Sequence, residues 1–543
     1  MRRPPSPRLT PLAGACLCTL GVLAGAAQAA PDEFTLENRT ELVNHQVSGA
    51  GAASSFLDRG THVLHESQLF HRARLGGGWQ SRLGLLVRYT DSPQFSPEKF
   101  SLQQFEWRLN DTRNDLVVGD YFANLSSYAM SKSLKGLGYQ RSFGGDQHYL
   151  RAVVGSFDGQ WGFVLRPGHL VDEPMDRHGA GLRYQAQNGP LTWGLNLALA
   201  ADRKDDPRRR AGERAWRQTL PSLDWEYRLD ALTVAGEHAW AGTTEQAAAG
   251  AETRRHGLAN KLSVRAMLGP INLDGRWERV DPEFMSLAGA ATPDRLRTSL
   301  RADAQIARLW KLFGVVDHSH NNLDHQLAFR TSNTSVEAGV TKRRAFDRRT
   351  LTLSAALRQR RTDLHGGGAD STTDRIKLRA TDSVGAVDLR GDVEFIVDGR
   401  SGGPSNRDTL YNLGASTRRE AGRWTFSPSL DVGLQERENP TGGLDVVHTA
   451  RLGFLAERAP GQLVSLSYDH NDSSTPAAGS SARVGRWVAS YETRPAWLKR
   501  GALRLELATN EYRFGNAAGN YRERLGRIVA TWPLDLLALK VTP

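Results

Sequence analysis

The sequence predicts an all-β protein, a single large antiparallel β-barrel of roughly 24–26 strands (range 22–28) that crosses a lipid bilayer. Three observations lead to this prediction. Apolar and charged residues alternate strictly, the alternating segments have the length of a membrane-crossing strand, and short connections mostly alternate with long ones.

The alternation is clearest between Val387 and Phe395, where every second residue is apolar or Gly and every residue between is charged. Successive side chains on a strand point to opposite faces, so this segment has one apolar and one charged face. A helix would scatter both kinds of residue around its circumference. The same pattern recurs at 376–380 and 503–507, and at 262–266 with Ser263 in place of one charged residue.

The length and spacing of these segments indicate a barrel. From residue 178 onward there are roughly 20 segments of about 9–12 residues, which is enough for a tilted strand to cross a bilayer. Short connections such as Leu229-Asp230 mostly alternate with long ones rich in Gly, Ala, Ser, Asp, Asn and Pro, such as 201–214 and 283–296. Tight turns at one end and longer loops at the other are typical of such barrels. A secreted propeller or β-sandwich also alternates, but such sheets rarely sustain charged residues in nearly every strand.

The N-terminus has the features of a secretory signal peptide. Arg2, Arg3 and Arg8 precede an apolar run from Leu12, and Ala27-Gln28-Ala29 supplies a small-x-small cleavage site. We therefore predict a signal peptide over residues 1–29 and a barrel over 30–543.

Removal of this peptide changes the composition of the mature chain. Its two cysteines, Cys16 and Cys18, are the only ones in the sequence, so no thiol is left for catalysis or disulfide bonds. Loss of its three arginines lowers the formal net charge from +11 to +8. The basic residues are spread along the chain rather than clustered, so no nucleic-acid partner is expected.

The segment 117–136 interrupts the alternation. It is rich in Ser, contains two Tyr, and is flanked by alternating segments on both sides. One interpretation is an ordered surface loop. The other is a non-strand segment folded into the lumen, where it would form a charged pore constriction. The residues assigned to that constriction are Asp120, Lys132, Lys135 and Arg141.

The charged faces of the strands are expected to line the lumen. Most of these charges would pair with one another and solvate the wall, while the surplus of positive charge favours an anionic passenger. The predicted lining residues are Arg265, Arg358, Arg379, Asp388, Arg390, Asp392, Glu394, Arg504 and Glu506.

Catalysis and metal binding are not expected, and no cofactor is predicted. Ser319 and His320 are adjacent in sequence, which places them on opposite faces of a strand. His318 and His320 share a face, but two His without a third ligand make a poor zinc site.

The chain resembles the broad class of Gram-negative outer-membrane β-barrels, which includes porin-like channels and exporters. The resemblance rests on the signal peptide, the alternation, the loop asymmetry and Val118-Gly119-Asp120-Tyr121, which is similar to Gly-Asp-aromatic stretches in several large barrels. It implies an outer-membrane location, contact with lipid and insertion by the barrel-insertion machinery. One departure is the C-terminal Leu539-Lys540-Val541-Thr542-Pro543, which lacks the terminal aromatic residue of that class; Trp532 would take its place.

Two functions follow from a barrel of this size. About 24–26 strands would enclose a hole roughly 50 Å across, which must be narrowed or filled. The first is a pore or exporter that passes polar solutes, with anions or a polysaccharide favoured, through an Arg-rich lumen. The alternative is a structural sheath that holds a partner protein, such as a multi-haem electron carrier or a secreted protein. A third and weaker hypothesis is an outer-membrane enzyme or adhesin.

Overall fold

A computed structural model describes residues 31–165, 175–203, 206, 210, 212–247, 250–439, 443–459, 461–475, 480–498 and 500–535. The predicted signal peptide, 1–29, lies outside these residues. The strands, numbered in chain order, are β1 (Pro31–Ser48), β2 (Gly60–Arg74), β3 (Gln80–Thr90), β4 (Phe100–Asn110), β5 (Asn114–Ser126), β6 (Met130–Phe143), β7 (His148–Ser156), β8 (Arg177–Asn188), β9 (Leu191–Asp202), β10 (Ala215–Arg228), β11 (Leu232–Gln246), β12 (Glu252–Leu268), β13 (Ile271–Val280), β14 (Arg295–Ala307), β15 (Trp310–His320), β16 (Arg330–Arg343), β17 (Thr352–His365), β18 (Ser371–Val384), β19 (Val387–Arg400), β20 (Asn406–Thr417), β21 (Arg419–Ala421), β22 (Trp424–Glu438), β23 (Leu444–Arg458), β24 (Gln462–Thr475), β25 (Ser480–Thr493), β26 (Ala502–Phe514) and β27 (Tyr521–Asp535).

The sheet closes on itself. Each strand pairs antiparallel with its neighbours, and β1 pairs with both β2 and β27, from Thr35 opposite Asp535 to Ser48 opposite Arg522. The three-residue β21 follows β20 and pairs with β22, so the two together make one position in the wall. The result is a closed barrel of 26 strands, which confirms the predicted fold class.

The two faces of the wall differ as the alternation predicts. In β9, Leu195, Leu197 and Leu199 are 39–50% exposed, whereas Asn196 and Ala198 between them are buried. Exposed apolar side chains recur on one face around the sheet. In a membrane barrel the apolar face lies against lipid and the polar face lines the lumen.

The connections are unequal at the two ends. At the end where the described chain begins and finishes, β8 and β9 are joined by residues 189–190, and β12 and β13 by 269–270. At the opposite end, connections such as 203–214 and 281–294 are longer. The turn between β5 and β6 departs from this pattern, since it spans only 127–129 at the long-loop end.

The prediction that 117–136 is a non-strand segment is wrong. Most of this region forms the C-terminal part of β5 and the N-terminal part of β6, which pair as a hairpin of regular strands. This region lacks the alternation for a physical reason. The part of the hairpin next to its turn contacts protein on more than one side, so it has no lipid-facing row of apolar residues.

Among the described residues, no helix is long and apolar enough to cross a bilayer.

The assignment of the two faces can be tested with one pair of substitutions in β20. Leu413 is 63% exposed on the apolar face near the middle of the strand, and Asn412 lies on the lumen face, where its amide donates to Asp392 at 2.9 Å. We expect Leu413→Arg to lower the free energy of unfolding by about 2–4 kcal/mol, because a guanidinium would face lipid. Asn412→Arg should cost less than about 1 kcal/mol, because the lumen is wet and Asp392 remains a partner. Reversible denaturant unfolding in lipid vesicles measures both, and equal effects would contradict the assignment.

Candidate functional site

The β5–β6 hairpin leaves the wall at a hinge around Gly119. Strand β5 pairs with β4 only from Asp115 to Gly119. Gly119 has a φ of +110°, and a Cβ there would lie 2.1 Å from the carbonyl oxygen of Phe105, so only Gly fits the hinge. From this point the chain turns away from β4.

Asp120 fixes the hinge by accepting three hydrogen bonds. Its carboxylate accepts the backbone N–H of Phe105 at 2.8 Å and the indole Nε1–H of Trp161 at 2.6 Å. Lys135, which is 8% exposed, donates to the same carboxylate and lies 5.1 Å from the Trp161 ring. Asp120 therefore satisfies an amide of β4 that the departing strand no longer pairs.

The tip of the hairpin packs inside the barrel, against the lumen face. Tyr128 is 1% exposed; its backbone N–H donates to Glu237 of β11 at 3.1 Å and its hydroxyl donates to Glu278 of β13 at 2.8 Å. Its ring makes an edge contact with Phe284, 5.7 Å between centroids. The contacted face is opposite the one on which Trp240 is exposed, so the tip occupies the lumen.

An ion pair lies under this tip, between the buried Glu237 and the partly exposed Lys261. Lys261 Nζ is 2.8 Å from Glu237 Oε2, and the Ser127 hydroxyl donates to the same oxygen at 2.7 Å. The ammonium also lies 5.1 Å from the Tyr128 ring centroid. Burial, and next the Glu278 carboxylate, raise the pKa of the Tyr128 phenol. The phenol therefore remains protonated, and remains a donor, at any physiological pH.

A second polar group holds the tip from β8. The Arg183 guanidinium makes two hydrogen bonds to Asp224, at 2.6 and 2.8 Å, and one to Asn196 at 2.8 Å. It also donates to the carbonyl oxygen of Leu125. One arginine thus binds the hairpin backbone while its charge is neutralised by the wall.

Small residues on the lumen face make room for the hairpin. A Cβ on Gly181 of β8 would lie 2.4 Å from Leu125 Cδ1. On the other side of the hairpin, a Cβ on Gly289 of the β13–β14 connection would lie 2.1 Å from the Tyr128 carbonyl oxygen. The residues that pack together here form an apolar cluster within the barrel, because the wall beneath the hairpin has small side chains where other strands have charged ones. This cluster includes Leu125, Tyr128, Met130, Leu134, Ala198, Leu220, Ala239, Ala241, Ala259 and Phe284.

The β13–β14 connection, residues 281–294, folds in over the hairpin. The Ser286 hydroxyl donates to the Tyr128 carbonyl at 2.7 Å, and the Leu287 N–H donates to Gln218 Oε1 at 2.8 Å. The Ser131 N–H donates to the Ala288 carbonyl at 2.9 Å. The wall, the hairpin and the connection are therefore bound to one another. We call the hairpin and the connection together, residues 120–135 and 281–291, the lumenal plug.

The four predicted constriction residues do not lie together. Asp120 and Lys135 meet at the hinge, and Lys132 lies on the hairpin with Nζ 3.5 Å from the Leu287 carbonyl. Arg141 lies near the other end of β6, in the row where Leu137 and Tyr139 are exposed on the lipid face. The pore-lining role of these residues stays a prediction.

The nine predicted lining residues all lie on the lumen face of their strands, and most have an ionic partner. Arg390 is 2.7 Å from Asp431, Arg504 is 2.7 Å from Glu506, and Arg265 is 3.2 Å from Asp274. Glu394 lies between Lys377, at 3.2 Å, and Arg375. Arg379 is 3.9 Å from Asp392, the Asp388 carboxylate accepts the Ser383 hydroxyl, and Arg358 donates to Ser335.

Sequence reasoning missed the residues that bind the hairpin, namely Arg183, Gln218, Glu237, Lys261 and Phe284. One signal could have found them. In strands β8–β12, Gly and Ala replace charged residues at the lumen-facing positions, as at Gly181, Ala239, Ala241 and Ala259. A wall lined by small residues needs something to pack against it.

Ser319 and the two histidines that flank it lie on opposite faces of β15. Ser319 pairs with Arg297 on the lumen face, while His318 lies on the other face, 2.9 Å from the Thr334 hydroxyl. Within the described ranges, no group of three or more His, Cys, Asp or Glu is placed to hold a metal ion.

Comparisons with known proteins find only distant structural similarity. No family model and no curated protein matches the sequence. Among solved structures, the chain is similar to the translocation pore of the P pilus usher PapC (12% identity, 92% of this chain and 99% of that chain covered, TM-score 0.33). It is similar to the siderophore receptor PirA from Pseudomonas aeruginosa (9% identity, 93% and 81% covered, TM-score 0.41). It is also similar to OccK2 (OpdF) from Pseudomonas aeruginosa (12% identity, 93% and 98% covered, TM-score 0.28). These low scores carry no argument, and the structure itself shows a closed antiparallel β-barrel of 26 strands.

The role of Glu237 in holding the plug can be tested by hydrogen exchange. Glu237→Ala would remove the acceptor of Ser127 and of the Tyr128 amide and leave Lys261 without its partner, so we expect the plug to loosen by about 1–3 kcal/mol. Backbone amides between 126 and 134 should then exchange at least about tenfold faster than in the wild type. The control is Glu511→Ala, which breaks an exposed ion pair with Arg513 and should leave these amides unchanged. Unaltered exchange in Glu237→Ala would show that the ion pair does not secure the plug.

Proposed function

We propose that the protein is an outer-membrane pore for polar solutes, narrowed from one side by the lumenal plug. The observation that carries this proposal is the position of the plug: a hairpin built as part of the wall leaves it and packs onto the polar face of the barrel. A barrel that served only as a wall would have no need of such a hinge, or of the small lumenal residues that receive the hairpin.

The dimensions of the barrel support a partial restriction. A ring of 26 strands about 4.8 Å apart and tilted by about 40° is roughly 50 Å across. A packed layer of strands is about 10 Å thick, so the plug narrows the lumen from the side of β8–β13 without filling it. The remaining wall presents mostly paired charges to water, which suits polar solutes.

The width that remains is the observation that favours a second candidate, a structural sheath. An opening several times wider than a small solute would leak, unless a partner occupied it. A folded protein held in the lumen, such as a multi-haem electron carrier or a secreted protein, would fit this width. We propose neither function as catalytic.

The pore proposal predicts that displacing the plug raises conductance. Gly181→Leu would place a side chain where Leu125 packs and should expel the hairpin tip from the wall. We expect its single-channel conductance in planar bilayers to exceed that of the wild type by at least about a fifth, given the thickness of the displaced layer. Ala356→Leu is the matched control, because Ala356 is a small lumen-facing residue of β17 outside the plug, and it should conduct like the wild type.

A disulfide bond that fixes the hairpin to the wall gives an independent test of the plug's effect on conductance. The hydroxyl oxygens of Ser126 and Ser222 are 3.1 Å apart, and the described chain contains no cysteine, so Ser126→Cys with Ser222→Cys should join the hairpin to the wall. The oxidised variant should keep the wild-type conductance.

Absence of steady current from folded, inserted wild-type protein would overturn the pore. A stoichiometric protein partner in material purified from native membranes would then identify the sheath.

A further inference from the structure

A cavity of about 270 Å³ opens on the lumen face of β14–β17, outside the plug. The side chains that line it come from four adjacent strands and are mostly basic or neutral and polar. We call it the basic cavity, and its charged residues are Arg295, Arg297, Asp317, Arg358 and Arg360.

Two of these arginines have only neutral partners. Arg358 Nε donates to the Ser335 hydroxyl at 3.1 Å, and Arg360 donates to Asn333 Oδ1 at 3.5 Å. Neither guanidinium lies within 4 Å of a carboxylate of any described residue. Glu337 is opposite Arg358 in the strand ladder, yet the two make no ion pair. This contrasts with Arg390 and Arg504, whose guanidinium groups are each 2.7 Å from a carboxylate.

The acids of the basic cavity leave its charge incompletely balanced. Arg295 is 2.8 Å from Glu278, but Arg297 is 3.5 Å from Asp317 Oδ1, and that oxygen accepts no hydrogen bond. Apart from Arg295, whose charge Glu278 balances, three guanidinium groups therefore face the cavity with one loosely held carboxylate between them. Such a group attracts an anion, and planar guanidinium groups bind carboxylates through paired hydrogen bonds.

The spacing of the arginines sets the kind of anion. Arg358 and Arg360 lie two positions apart on one face, so their backbones are separated by roughly 7 Å, and Arg297 approaches from β14. A ligand with two separated carboxylates could bind Arg358 and Arg360 at the same time without any distortion of the strand. We propose that the basic cavity binds small organic anions that carry two or more carboxylates, as a selective step within the lumen. This inference rests on the proposed pore function, because it makes such anions the solutes that the barrel concentrates.

Citrate is a suitable probe, and calorimetric titration of the purified full chain in mild detergent at low ionic strength measures its binding. We expect saturable binding of citrate and none of neutral sucrose. Arg358→Gln with Arg360→Gln should weaken citrate binding at least about tenfold, because two charge-assisted contacts are lost. The matched control, Arg390→Gln with Arg504→Gln, removes the same lumenal charge from acid-paired arginines and should change binding less than about twofold.

The outcomes separate the site from the pore. Equal weakening by the two double variants would show a general attraction to the positive lumen and overturn the site, as would the absence of saturable citrate binding by the wild type. A barrel that conducts without binding citrate overturns the site alone. A barrel that binds citrate at Arg358 and Arg360 but does not conduct overturns the pore alone.

Discussion

The structure depends on one constraint, that each strand of a closed sheet touches two different solvents. Lipid cannot hydrogen-bond to a backbone, so every amide and carbonyl in the wall needs a partner strand, and the pairing of β1 with β27 removes the last open edge. The outer face must then be apolar, while the inner face is free to carry charge. Leu389 and Arg390 are neighbours in sequence, yet one faces hydrocarbon and the other water.

The lumenal plug follows from the same constraint. Where the hairpin departs at Gly119, the amide of Phe105 loses its strand partner, and the Asp120 carboxylate takes that place. Where the hairpin lands, the wall no longer faces water, and its charged residues give way to Gly and Ala. Few charges remain there; Glu237, for example, pairs with Lys261 and accepts the backbone N–H of Tyr128 in the hairpin. At both places a side-chain carboxylate therefore accepts a hydrogen bond from a backbone amide, as buried polar groups require.

The sequence predicts the wall well because the wall is repetitive. Alternation between Val387 and Phe395 identifies the strand, its lipid face and its lumen face at once, and the observed 26 strands lie within the expected range. The sequence does not predict the plug, because its residues have no such contrast: Leu125 and Met130 are buried in protein inside the barrel and not against lipid. Contacts such as Tyr128 with Glu278 join residues 150 positions apart, and a local sequence pattern cannot predict them. Nor does the sequence predict that Arg358 has no carboxylate partner among the described residues, because this depends on where the side chains of two neighbouring strands point.

The long sequence separation of the plug contacts has a consequence for assembly. Tyr128 reaches its partners only after β11 and β13 have folded, 109 and 150 residues further along the chain, and Ser286 follows at 158. The hairpin is synthesised early but can dock only late. Until then its apolar tip and the small-residue wall that receives it are both open to the aqueous interior of the unfinished barrel. The plug and the wall are therefore two units of stability, one maintained by lipid from outside and the other by contacts formed in water.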